Sequence, residues 1–265
     1  MKKKSVVVLF GGMSNEYEVS LKSASAAIEN MDLDKYNLIM LGITREGKWF
    51  KFSGDIQMIR NNTWYTDKSC VEAFISPSRE RKGLIEITEE GYKMTEIDVV
   101  FPILHGKFGE DGTMQRLLEL SGIPFVGCKT LSSVICMDKA VTHSLVAKEG
   151  IKVAKSVVLY KKDNNVEEIV KQARLKLPAY IKPAKSGSSI GITKVFHLYQ
   201  LREAVNKALL EDDKVVVEEN IDGFEVGCAV LGNENPIVGE VDEIELILMK
   251  LIHYLVLQVV ADILT

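Results

Sequence analysis

The chemistry that this sequence could perform rests on two lysines, a glycine/serine loop and several carboxylates set at strand ends. The densest stretch is IKPAKSGSSIGITKV, residues 181–195, where Lys182 closes an apolar strand and a loop with Gly187, Ser188 and Ser189 leads to another strand. Such a loop lets backbone N–H groups and hydroxyls close over a polyphosphate, while a lysine supplies a point charge beside it. A bare Gly/Ser loop would equally suit a surface hairpin; the pattern Lys-Pro-x-x-x-Gly-Ser-Ser-x-Gly between two strands favours the phosphate reading. It is not a Walker A loop, because the G-x-x-x-x-G-K-[ST] order is absent. Lys139, in CMDKAVTHSL, is expected on a helix, where a solvated lysine is the plain alternative. Glu218, Glu219, Asn220 and Ile221 follow an apolar strand and could offer backbone groups to a purine edge. Glu225 could then accept from ribose hydroxyls, and a charged turn is the competing reading. Glu18 and Ser20 follow Gly11-Gly12 at a helix start, which favours an anion, although Glu18 could simply complement the helix dipole. His105, in LHGKFGEDG, stands after a buried strand, where strand ends present ligand-binding loops; a solvated loop histidine is the alternative.

The elements that must position these groups follow from the hydrophobic pattern. Residues 6–10 are a continuous apolar run that stops at Gly11-Gly12 and precedes apolar positions at helical spacing, the strand–turn–helix opening of a parallel sheet. Strands are expected at 37–43 and 98–104, a hairpin around EGKWFKF, and only weak short strands such as 84–87 within 55–95. Asp111 is expected to cap a helix over 113–120 that Gly122 ends, before a short strand at 124–126. Ser132 is expected to cap one helix running to Glu149, with Gly150 beyond it. Strands at 153–160, 179–183, 215–219, 224–231 and 236–241 then alternate with helices at 166–176 and 198–210. The expected class is α/β and α+β, with an N-terminal parallel-sheet domain and at least one further α/β or α+β unit. No internal repeat is present.

Composition narrows the setting. The 265 residues carry 33 basic and 37 acidic side chains, and 46% are apolar. That balance is ordinary for a globular protein and lacks the basic excess of a general nucleic-acid binder. Four cysteines, without CxxC spacing, argue for free thiols rather than a zinc site or disulfide framework. The start MKKKSVVVLF imitates a signal peptide, but its apolar run is too short and GGMSNEYE is no cleavage site. A cytoplasmic location is expected.

Taken together, LFGGMSNEYEVSLKSA (9–24), FPILHGKFGEDGTMQRLLELSGIPFVGC (101–128), MDK (137–139), IKPAKSGSSIGITKV (181–195) and VVVEENIDGFEVGCAVLG (215–232) resemble the D-alanine–D-alanine ligases. These are ATP-dependent enzymes of the ATP-grasp fold, and the pieces occur in the family's order over residues 5–245. The resemblance implies a substrate domain over 1–129, a central ATP-grasp domain over 130–216 and an incomplete C-terminal ATP-grasp domain over 217–265. It implies that one D-alanine carboxylate attacks the γ-phosphate of ATP and that the amine of a second D-amino acid attacks the acyl phosphate. Both steps call for fixed charge and donors. By the same resemblance Glu18 holds the first ammonium, Ser188 orients Glu18, and Tyr17 and His105 lie at the substrate. Ser189 and Gly187 cover phosphates that Lys139 and Lys182 neutralise, Glu218, Glu219 and Ile221 line the adenine, and Glu225 meets the ribose. Tyr17 before the matching Glu looks like the vancomycin-resistance ligases that make D-alanyl-D-serine. A homodimer without nucleic-acid or membrane partners is expected.

Residues 244–265 differ in character. IELILMKLIHYLVLQVVADILT is broken by Lys250, His253, Gln258 and Asp262, so it lacks the roughly 18 consecutive apolar residues of a spanning helix, and a buried or partner-facing helix is the alternative. Nothing in 247–265 matches the family's reactive-centre Arg or its Asp, Glu and Asn ligands for two Mg²⁺ ions. The expectation is an aberrant or truncated end, no metal ligands in this chain, and a remnant that binds nucleotide without ligating.

Overall fold

The computed structural model describes residues 2–244, and the expectations for 246–265 lie outside the described residues. The N-terminal part is built on a sheet of seven strands. They are β1 (Lys4–Gly11), β2 (Tyr36–Ile43), β3 (Trp49–Phe52), β4 (Val71–Ile75), β5 (Gly83–Thr88), β6 (Gly91–Glu96) and β7 (Val99–Leu104). Their order is β6-β5-β4-β3-β2-β1-β7. Strand β1 runs parallel to β2 on one side and β7 on the other, while the strands beyond β2 pair antiparallel. The sheet is therefore mixed: the expected parallel strands form its centre at β2, β1 and β7, and the weak 55–95 stretch folds into hairpin strands that extend one edge.

Alternation along β1 divides its side chains between two cores. Val6, Val8 and Phe10 pack with Tyr17, Leu21 and Trp64 on one face, and Val7 and Leu9 with Leu41, Leu104 and Leu118 on the other. Both faces are covered, which is why residues 6–10 read as an unbroken apolar run. Helix α1 (Tyr17–Glu29) covers the first face; the short α2 (Ile56–Arg60) lies beside it. Trp64 is fully buried. Gly42 makes room for it, since a Cβ there would lie 2.3 Å from the indole.

Helix α3 (Thr113–Ser121) follows β7. Its N-cap is Gly112 at φ 91° rather than Asp111. The Asp111 carboxylate instead accepts from the backbone N–H groups of Thr113 (3.0 Å) and Phe108 (2.9 Å), tying the loop to the helix start. The single helix expected over 132–149 is two helices, α4 (Thr130–Met137) and α5 (Lys139–Lys148). Asp138 breaks it with extended backbone (ψ 101°) and caps α5 by accepting from Ala140 and Val141. Asp is a strong N-cap former, so a local side-chain bond overrides the continuous helical periodicity. Ser132 sits inside α4.

The second sheet holds β8 (Ser156–Tyr160), β9 (Ala179–Pro183), β10 (Thr193–Val195) and β11 (Lys214–Glu219), ordered β10-β9-β11-β8 and antiparallel throughout. Helices α6 (Val166–Gln172) and α7 (Leu201–Ala208) bury one face of it on Leu159, Ile181 and Val217. The 198–210 helix opens as a 3-10 turn at Leu198–Gln200. Because β11 runs to Glu219, this sheet extends past residue 216. Strands β12 (Glu225–Leu231) and β13 (Ile237–Ile244) form a separate two-stranded sheet. Its apolar side chains, including Val230, Ile237 and Val241, are exposed.

Candidate active site

The first group of site residues gathers where β1 and β7 end together. The chain leaves β1 toward β2 on one side and reaches β7 on the other, so this end is a topological switch point, where open α/β sheets bind ligands. Ser20, fully buried in the first turn of α1, fixes the geometry: its hydroxyl donates to the Ile103 carbonyl and accepts from the Gly11 N–H at 2.8 Å. Gly11 (φ 86°) is required there, since a Cβ would stand 2.1 Å from the Ile43 carbonyl oxygen. Ser14 Oγ donates to the His105 carbonyl at 2.7 Å and accepts from the Glu16 N–H at 3.0 Å. His105 Nε2 lies 3.3 Å from Ser23 Oγ of α1.

The carboxylate at the centre of this cluster is Glu16, not Glu18. Glu16 Oε1 accepts a short hydrogen bond from Ser188 Oγ of the second sheet's loop. Gly106 and Gly187 press on it so closely that a Cβ at either would fall 2.2 Å and 2.9 Å from Glu16 Oε2. Glu18 lies on the exposed side of α1 and pairs with Arg45, whose hydrogen bond holds its carboxyl below the usual range. Glu16 precedes the first residue of α1 and Glu18 lies within it, and their side chains meet different partners: Ser188 bonds Glu16, and Arg45 bonds Glu18. Tyr17 is likewise not presented to a ligand. It is fully buried, accepts from Trp64 Nε1 at 3.1 Å, and carries the Arg45 guanidinium over its ring. Burial pushes its phenol up.

The second group lies on the face of β9 and β11 opposite their apolar core. Lys182 and Glu218 meet at 2.6 Å, with Glu218 buried. Lys139, first residue of α5, reaches the loop after β9, donating to the Ser186 carbonyl. Burial lowers its ammonium pKa, and the neighbouring Lys182 charge lowers it further. Alongside opens a cleft of about 730 Å³ lined by Lys182, Ser189, Lys194, Glu218, Glu219, Asn220, Ile221 and Glu225. Seven of the residues singled out in the sequence thus share one cavity. Glu219 also accepts from the Lys176 N–H at 2.7 Å. The Lys139 side chain lies at the loop that carries Gly187 and Ser188. Ser188 and Ser189 both take positive φ (46° and 58°), a strained conformation that turns the loop back on itself between the two groups. Among the described residues no three His, Cys, Asp or Glu side chains converge on a point fit for a cation.

Glu16, Ser14 and Asp138 were not singled out in the sequence. The S-N-E triplet after Gly11-Gly12 was visible, but an acid one residue before a helix resembles ordinary capping chemistry.

Comparison with known proteins agrees with this geometry. Residues 5–128 match the family described as D-ala D-ala ligase N-terminus, and residues 145–254 match D-ala D-ala ligase C-terminus. A D-alanine–D-alanine ligase of Caldicellulosiruptor bescii is 45% identical over 250 residues, covering 92% of this chain and 67% of that protein. The crystal structure of the VanG D-Ala:D-Ser ligase from Enterococcus faecalis superposes with a TM-score of 0.85 at 50% identity, covering 92% of this chain and 70% of that one. A Bacillus anthracis D-alanine–D-alanine ligase solved with ATP gives a TM-score of 0.60 at 26% identity, covering 97% and 77%. With two family regions matched in order and two thirds of a relative covered at this identity, the chain belongs to the D-alanine–D-alanine ligase family.

Proposed function

We propose that this chain binds ATP in the cleft beside Lys182 and a D-amino acid at Glu16, and joins two D-amino acids through an acyl phosphate. The observation that carries the reading is the Glu16 carboxylate. It receives a hydroxyl and is walled by backbone from both sheets, yet pairs with no cation among the described residues. A partly buried anion of this kind is a fit for a substrate ammonium.

With the ammonium held there, the substrate carboxylate would point toward the Ser188–Ser189 loop. Its oxygen attacks the γ-phosphorus as the bond to ADP breaks; the second amine then attacks the acyl carbonyl, loses a proton, and inorganic phosphate leaves. Lys139 and Lys182 supply fixed positive charge for the phosphoryl oxygens, and the loop excludes water. Magnesium belongs to this chemistry in the family; among the described residues no cluster of carboxylates fits such a cation. D-Serine as the second amino acid is favoured over D-alanine by the 50% identity to the VanG D-Ala:D-Ser ligase, which would place the chain with glycopeptide resistance rather than bulk peptidoglycan synthesis. Tyr17 gives no support to that choice, being buried away from the site. A cytoplasmic location and a homodimer belong to the same proposal; no helix among the described residues is long and apolar enough to cross a membrane.

The test is phosphate release from ATP with D-alanine alone and with D-alanine plus D-serine, with the dipeptide identified by mass. Greater dipeptide formation with D-serine supports the assignment. A thermal shift with ATP but no phosphate release would leave a nucleotide-binding remnant instead.

A further inference from the structure

His143 is a group that the chemistry above does not use, and it stands against the charged face of the second sheet. It lies four residues after Lys139 on α5, so the two side chains project from the same face of the helix. Its Nε2 is 3.7 Å from Glu218 Oε2, while Lys182 holds the other oxygen, Oε1, at 2.6 Å. The Nδ1 atom is buried and has no hydrogen-bond partner. A neutral ring therefore places its single proton on Nε2, aimed at the carboxylate. The separation is too long for a formed hydrogen bond, so the imidazole stands next to Glu218 without yet engaging it.

Lys182 has two calls on its charge. Without nucleotide it neutralises the buried Glu218; with a polyphosphate in the cleft it must turn toward the phosphates. Turning away would leave a buried carboxylate unpaired, which is costly. Lys139 forms no ion pair with Glu218, its ammonium donating to the Ser186 carbonyl instead. Resting on the nucleotide reading of the cleft, we propose that His143 is a positioning residue that takes over Glu218 when Lys182 moves to the phosphates. The hand-over keeps Glu218 satisfied in both states and lets Lys182 give its charge to the nucleotide.

The experiment is calorimetric binding of ATP, ADP and adenosine to the whole chain and to two variants, His143→Leu and His143→Gln. The leucine variant removes the donor at similar volume. It is expected to weaken ATP and ADP by about tenfold while adenosine stays within about twofold, because adenosine makes no demand on Lys182. The glutamine variant retains an N–H donor and is expected to recover ATP affinity to within about threefold of the parent. Equal ATP affinity for parent and leucine variant overturns the proposal. So does a parallel loss of adenosine and ATP, which would mark a purely structural role, or a glutamine variant no better than leucine. A parent chain that binds adenosine and ATP equally well would show that Lys182 never reaches the phosphates, and would end the hand-over while leaving the cleft. A parent chain that binds neither overturns the nucleotide reading itself, and this inference with it.

Discussion

The two ends of this site hold their charges by opposite means. At the end of β1 and β7, neutral groups place a lone carboxylate: Ser14 and Ser20 lock the backbone, glycines let it approach, and Glu16 meets one hydroxyl. On the face of β9 and β11, charge is held by charge, with Lys182 on Glu218, Lys214 on Asp138, and Lys139 close by. The difference matches the groups each would receive. A carboxylate kept from cations retains its full attraction for an ammonium, whereas clustered lysines need anions among them to stay folded until phosphates arrive. The first region is organised before substrate binds; the second must exchange partners when it does.

The comparison can be broken by substitution. Lys182→Met should have the largest effect, since it removes the cation of buried Glu218 and leaves only His143, as a neutral donor, to meet the carboxylate. It is expected to lower stability by about 3 kcal/mol in urea denaturation and to abolish detectable ATP binding. Asp138→Ala comes next, at about 2 kcal/mol, because it removes the α5 cap and strands Lys214. Asp138 also gives this effect a pH dependence. Burial alone would raise its pKa, but the Lys214 and backbone hydrogen bonds outweigh burial and bring it below 3.8. Its stabilisation is therefore complete above the ordinary Asp value and lost as pH falls through the lowered folded value. Urea midpoints of parent and variant should converge as pH falls through that lowered folded value. In the first region, Glu16→Gln should weaken D-alanine by about 2 kcal/mol, roughly thirtyfold. Glu18→Gln should change it by less than about threefold, as expected of an exposed ion pair with Arg45. Equal losses at 16 and 18 would erase the assignment of the substrate carboxylate. Ser188→Ala should cost less than Glu16→Gln, near 1 kcal/mol or about fivefold, because only one hydroxyl is lost.

Much of the architecture was legible in the sequence, and the places where it was not share a cause. β1 and β7 were readable because strands buried on both faces leave apolar runs, and β9 because Ala179, Ile181 and Pro183 alternate with Tyr180 and Lys182. The hairpin strands of 55–95 were weak because β6, at the sheet edge, is almost wholly exposed and shows no alternation. The break at Asp138 was hidden by helical periodicity continuing on either side. At the site, the lysines and the Gly/Ser loop announced themselves by composition, whereas choosing between Glu16 and Glu18 depended on where α1 begins and on a contact 172 residues away. Tyr17 could be read only as an unusual neighbour; that it faces Trp64 follows from the direction of α1 against the sheet.

Gly106 and Gly187 set a mechanical tolerance. They come from loops of different sheets, and each leaves the Glu16 carboxylate less than a methyl group's clearance. A single methyl at either position would act as a shim, forcing the carboxylate aside or wedging the loops apart. The fit between the two halves of the molecule is thereby gauged by two hydrogen atoms, and a drift of an ångström between the sheets would show first as a loosened grip on whatever Glu16 holds.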